Sequence, residues 1–221
     1  LPQEYETLAE RMKGAGFSTT FVNGNSLLNP KSGITQGFDT YQGPRSGIVS
    51  FFKPDSTPVK RDRQPREGWK ANRITRTAIE QLEQAEDGAR IFLWTHFMDP
   101  HWSYSPPQPF SDFYTEAVDY AKLNRAMATP AGDLRYRNNL PDDIRKHLRN
   151  LYAGEVAYTD YELGQLLRYL DEKGLRKNSL IALTSDHGEA LGEKGFYYCH
   201  GDEVYRESIN VPLMIWNPAM G

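Results

Sequence analysis

Two short runs in this chain, Ile91–Trp94 ("IFLW") and Leu180–Leu183 ("LIAL"), are apolar at every position and then stop abruptly at polar residues. A strand with one face in water alternates apolar and polar side chains; a run that is apolar throughout has to be covered on both faces. The stretches around these runs have helical spacing. "YETLAERMKGAGF" sets Leu8 and Met12 one turn apart and ends on Gly14 and Gly16. "NRITRTAIEQLEQA" puts Ile74, Ala78, Ile79 and Leu82 on one helix face. "IRKHLRNLYAGEVAYTDYELGQLLRYLDEKG" repeats Leu148, Tyr152, Val156, Thr159, Leu163, Leu166, Leu167 and Leu170 at intervals of three or four, and Gly174 is a natural cap. "STTFVNG" and "VPLMIW" add two further strand signals. Buried strands alternating with helices predict an α/β fold, a mostly parallel sheet sandwiched by helices.

The rest of the composition mainly excludes. With 221 residues, 38% hydrophobic and 25% charged, the chain reads as one α/β domain over residues 1–221. A net charge of −3 and a pI near 6.0 leave no electrostatic footprint for nucleic acid. No apolar run has the roughly 18 residues a membrane span needs. The chain opens on Leu1, not Met, with no signal peptide visible, and the missing Met reads as a processed or excised piece. Cys199 is the sole cysteine, so no intramolecular disulfide forms. Two stretches break the alternation and read as long loops. Residues 43–68 are rich in Pro, Gly and Arg, and residues 99–112 hold four prolines and three aromatics.

Ligands of open α/β sheets collect beyond the carboxyl ends of the strands. His96, Asp99 and His101 come after the first apolar run, and Asp186 and His187 after the second, with His200 thirteen residues further on. A carboxylate oxygen beside an imidazole nitrogen suits a divalent cation, and Gly188 eases the bend that would aim both at one point. Each feature also has a plainer reading. Asp186 could cap a helix and leave His187 exposed. "DPHW" could be a Pro-rich loop braced by a histidine hydrogen bond, and His200 a surface histidine. His147, on the charged face of the long helix, is read as solvated.

Taken together, the segments resemble the sulfatase family of the alkaline phosphatase superfamily. "THFMDPHWSYSPPQPF" is similar to its H-x-x-D-P-H-x-x-Y-x-P-P loop, and the long helix running into "LIALTSDHGEALGEKG" is similar to its metal-bearing strand end. "HGDEVYRESINVPLMIW" and "LAERMKGAGFSTTFVNGN … GFDTY" resemble two further family segments. The resemblance implies an alkaline-phosphatase-like fold. It makes Asp186 and His187 two ligands of one divalent cation, calcium first, with manganese, magnesium or zinc as alternatives. It makes His101 and His200 catalytic and substrate-binding contacts to the transferred group, supported by His96 and Asp99. The nucleophile implied is a formylglycine made from Cys or Ser in C/S-x-P-x-R, and the substrate a sulfate ester, small molecule or glycan. Family habit places such proteins in a periplasmic, extracellular or lysosomal compartment.

The chain departs from the family pattern in three ways. Cys199 has no proline two residues on, and "STPVK" (Ser56–Lys60) is a near miss that falls far too late. Asn210 stands where relatives often carry Arg. The family's first strand, with its paired metal-binding aspartates, and its C-terminal subdomain are expected outside residues 1–221. The chain is therefore expected to be a partial domain, inactive alone and poorly soluble. Two other functions remain open. One is a phosphodiester or phosphonate hydrolase, or a phosphoethanolamine or glycerol-phosphate transferase, on the same fold. The other is a non-catalytic binding domain. Trp102, Tyr104 and Phe110 could stack on a sugar or simply pack their loop. The basic run Lys60–Arg66 could meet a polyanion or be a solvated loop.

Overall fold

Thr7 starts the first helix, α1 (Leu8–Gly14), with a reciprocal cap. Its hydroxyl accepts from the Glu10 N–H at 3.1 Å, and Glu10 Oε2 accepts from the Thr7 N–H at 2.8 Å. Gly16, at φ 84°, then turns the chain into β1 (Ser18–Asn23). The computed structural model describes residues 2, 4–44, 68–102, 104–112, 141–195, 197–201 and 204–220. They group into two compact units. One comprises Leu1–Asp99 with Glu162–Leu166, and the other Pro100–Tyr161 with Leu167–Gly221.

In the first unit β1 is the middle strand of a parallel sheet in the order β2–β1–β3, with β2 at Thr40–Gln42 and β3 at Ile91–His96. Phe21 lies opposite both Tyr41 and Trp94, and Asn23 lies opposite His96. Successive β1 side chains point to opposite faces, and each face has its own cover. Val22 packs with Ile74 and Ala78 of α2 (Ala71–Glu83) and with Leu166, ringed by Trp69, Ile79, Leu82, Leu93 and Phe97. Phe21 meets the rings of Phe38, Tyr41 and Trp94 at 5.2, 5.6 and 5.1 Å. The face expected on α2 is the face that is buried.

One polar cluster in this unit joins α1 to the sheet. Asp39 Oδ2 accepts from the Thr19 N–H and hydroxyl, both at 3.0 Å, while Lys13 Nζ lies 2.5 Å from Oδ1. Lys13 first, then the Thr19 N–H, hold the Asp39 carboxyl down to about 2. The acidic side chain thereby ties α1 to the start of the sheet.

The second unit is built on most of α3 (Asp142–Glu172), with β4 (Ile181–Thr184) and β7 (Leu213–Trp216) paired antiparallel. A smaller antiparallel pair, β5 (Ala190–Leu191) with β6 (Tyr197–Cys199), comes after β4, and a short helix α4 (Arg206–Ile209) precedes β7. The α/β reading holds, with the parallel pairing confined, among the described residues, to the first unit.

Two expectations for α3 need correction. Its buried stripe in this unit runs through Ile144, His147, Leu148, Glu155 and Tyr158, whereas Val156 is exposed. His147, expected in solvent, is only 3% exposed because it sits one turn on from Ile144, on the stripe itself. Burial pushes its imidazole below the ordinary value. Glu155 is buried because its Oε1 accepts the Ser105 N–H at 2.6 Å. The expected cover on both faces is also incomplete: Leu213, Met214 and Ile215 of β7 are all more than half exposed.

Of the expected loop at 43–68, residues 45–67 lie outside the described residues, together with Ser56–Lys60 and the basic run Lys60–Arg66. The loop at 99–112 has neither helix nor strand among its described residues, and packs on α3. The Tyr104 ring meets Tyr152 at 5.4 Å, and Phe110 meets Tyr158 and Tyr161 at 5.4 and 5.6 Å. Gly154 permits this closeness, since a Cβ there would lie 2.6 Å from the Phe110 carbonyl oxygen. No helix among the described residues is long and apolar enough to cross a membrane.

Candidate active site

Beyond Thr184 the chain makes a tight turn held by its own polar groups. The Ser185 hydroxyl donates to the His187 carbonyl at 2.6 Å, and Asp186 Oδ1 accepts the His187 N–H at 3.0 Å. The Gly188 N–H donates to the Ser208 carbonyl at 2.7 Å. Gly188 is required here for a reason the sequence concealed. Its φ is not positive, and a Cβ would overlap the Glu207 carbonyl oxygen. The need is for room beside α4, not for left-handed backbone. The turn leads into the strand β5, so Asp186 is not a helix cap.

Three histidines gather at this strand end. The His187 and His200 rings stack at 3.7 Å with an interplanar angle of 19°, and His101 meets His200 edge-on at 5.3 Å. Each ring uses Nδ1 on an oxygen acceptor. His101 bonds the Trp102 carbonyl at 2.6 Å, His187 the Gly188 carbonyl at 2.8 Å, and His200 the Glu189 carboxylate at 3.2 Å. Carbonyls and ionised carboxylates only accept, so all three rings carry a proton on Nδ1. In the neutral ring that places the lone pair on Nε2.

Asp186 is the most open member, with its side chain 63% exposed, and Oδ1 lies 3.7 Å from His187 Nε2. One hard oxygen and one nitrogen at this separation can share a cation whose ligand distances are about 2.0–2.4 Å. Among the described residues no group of three His, Cys, Asp or Glu side chains is arranged to hold a metal ion. Asp186 and His187 by themselves offer two donors, one oxygen and one nitrogen.

His96 and Asp99 belong to the first unit. His96 ends β3, and its carbonyl accepts the Gly24 N–H at 2.9 Å. Asp99 Oδ2 accepts the Ala71 N–H at 2.8 Å and so terminates α2 from a distance. Burial pushes the Asp99 carboxyl above its ordinary value, against the pull of that N–H and of Lys70. Trp102 packs on Tyr104 at 5.3 Å, and Tyr104 and Phe110 pack on α3. Sequence reasoning passed over Glu189, whose side chain is 4% exposed against His200. Its one signal was a second carboxylate three residues after Asp186. Tyr152 lies near that carboxylate; burial first and the Glu189 charge second hold its phenol above the ordinary value.

The geometry can be set beside known proteins. The sulfatase family model matches residues 1–220. The iduronate 2-sulfatase of Mus musculus is 32% identical over 167 residues, covering 65% of this chain and 30% of its own length. An ulvan-active sulfatase of Formosa agariphila is 27% identical over an alignment of 233 positions, covering 100% of this chain and 42% of its own. The fold is shared with a phosphonate monoester hydrolase of Agrobacterium radiobacter, with TM-score 0.66 and 19% identity, covering 99% of this chain and 54% of that one. The chain thus spans well under half the length of these two curated relatives. By the family match over nearly its whole extent, the chain belongs to the sulfatase family.

Proposed function

We propose that the polypeptide carrying this chain is a sulfuric ester hydrolase. The observation that carries the reading is the gathering of His101, His187 and His200 beside Asp186 at the end of β4. Family membership supports the same reading. Two relatives are named for ulvan and for iduronate, so a sulfated sugar is the substrate class we favour.

In this proposal Asp186 and His187 Nε2 hold a divalent cation, calcium by family habit. Their mixed oxygen and nitrogen set also admits manganese, magnesium or zinc. When bound, the cation lowers the nucleophile's pKa and neutralises charge on the transferred group. The chain's own residues do the rest. His101 and His200 place Nε2 toward the sulfuryl oxygens and the leaving oxygen, where an imidazole can give a proton or take one back. Their Nδ1 bonds keep both rings from rotating. His96 and Asp99 act within their own unit, Asp99 by holding the start of α2 through the Ala71 N–H. The nucleophile is a formylglycine carried outside residues 1–221, because Cys199 and Ser56–Lys60 do not fit C/S-x-P-x-R.

The test starts with peptide mass spectrometry of the native polypeptide, searching for an aldehyde-bearing residue in C/S-x-P-x-R. Turnover of 4-nitrophenyl sulfate, a sulfated oligosaccharide and a phosphonate monoester is measured beside it. An aldehyde with sulfate turnover is expected. A threonine nucleophile with faster phosphonate turnover would replace the sulfatase reading. Asp186→Ala should lose metal and activity together, and His200→Ala should slow turnover by about 100-fold with the metal retained. Residues 1–221 expressed alone should show no turnover.

A further inference from the structure

The strand pair β5–β6 brings a buried carboxylate to the middle histidine. Ala190 lies opposite Cys199 in that antiparallel ladder, so the flanking residues Glu189 and His200 face each other at its end. Glu189 Oε1 and His200 Nδ1 are 3.2 Å apart. The Glu189 side chain is 4% exposed, and that of His200 26%. A carboxylate this deeply buried is stable only against a donor, and the imidazole N–H is one. We propose that Glu189 is a positioning residue that acts through His200. It fixes the ring's orientation and keeps the proton on Nδ1, so that Nε2 is the nitrogen offered to the reacting group.

His200 is the ring the other two touch, stacked on His187 and edge-on to His101. Rotation of this one ring by a half-turn would put carbons where its nitrogens lie, break the Nδ1–Glu189 bond and turn Nε2 away from the reacting group. The Ala190–Cys199 pairing and the Gly188–Ser208 hydrogen bond hold the backbone on either side, so the remaining freedom is in the His200 side chain itself. Glu189 removes it. Partners of this kind behind a working histidine are typically worth about 10–100-fold in activity.

The inference rests on the proposed role of His200, so the experiment separates the two. Glu189→Ala, Glu189→Gln, His200→Ala and the Glu189→Ala/His200→Ala double variant are made in the native polypeptide. Turnover of 4-nitrophenyl sulfate is read as kcat and KM, and the His200 tautomer is read from side-chain nitrogen chemical shifts. Glu189→Ala should lower kcat about 10–100-fold with KM little changed. It should also move His200 from the Nδ1–H form toward a mixture. Glu189→Gln keeps an acceptor oxygen and should preserve the tautomer and most of kcat. The double variant should be no slower than His200→Ala. If His200→Ala slows turnover while Glu189→Ala leaves tautomer and kcat unchanged, the positioning role is overturned alone. If His200→Ala leaves turnover intact, the reading of His200 has failed and the positioning role falls with it. If the double variant is much slower than His200→Ala, Glu189 does not act through His200.

Discussion

His147 is the residue whose environment most contradicts its sequence context. Neighbours Lys146 and Arg149 gave it a charged appearance, yet it is buried between the Ile144 and Leu148 positions of α3. Its imidazole is held below the ordinary value by burial. The unfolded chain takes up a proton as pH falls below about 6.5, while the folded chain resists it. The stability present above that pH is therefore lost as pH falls from there toward the depressed folded value. His147→Leu should flatten this slope. Urea midpoints at pH 7.5 and pH 5.0 should diverge less in the variant than in the parent. An equal divergence would mean that His147 is not the group responsible.

At the scale of elements, period and apolarity carried most of the fold. Ile74, Ala78, Ile79 and Leu82 of α2 met the sheet as their spacing predicts, and the strands at Ile91 and Ile181 stand where apolar runs end in polar residues. Less legible were the features that depend on close approach between distant segments. Gly154 looks like a weak point in a long helix, since glycine costs a helix interior about 1 kcal/mol relative to alanine. The structure gives the reason: the loop at 104–112 lies against it, with the Phe110 carbonyl where a Cβ would be. Gly154→Ala should accordingly destabilise by about 1–3 kcal/mol despite its better helix propensity. Hydrogen exchange should quicken in residues 104–112. A stabilised variant would mean the loop does not need that approach. Glu155 was equally hidden, because nothing local announces that a helical carboxylate will meet the Ser105 N–H.

For the molecule as a whole, the candidate site was legible as a set of residues but not as an arrangement. Asp186, His187, His101 and His200 come from segments whose meeting depends on β5 and β6, strands too short to leave a periodic signal. Glu189 was missed for the same reason. The apolar runs also predicted more cover than the described residues provide. Leu213, Met214 and Ile215 are 68, 59 and 57% exposed and lie together on one strand. Residues 1–221 expressed alone should self-associate, and Leu213→Thr with Ile215→Thr should reduce light scattering at equal concentration without shifting the circular dichroism spectrum. Unchanged scattering would point to another surface. The site has its own weak link. The Gly188–Ser208 bond closes a segment of about 20 residues that contains Glu189 and His200, and the β5–β6 ladder within it is very short. A ladder this short can open while the two larger cores stay folded. Warming would then disband the site before the molecule melts, because one local opening removes the ring that His101 and His187 both touch.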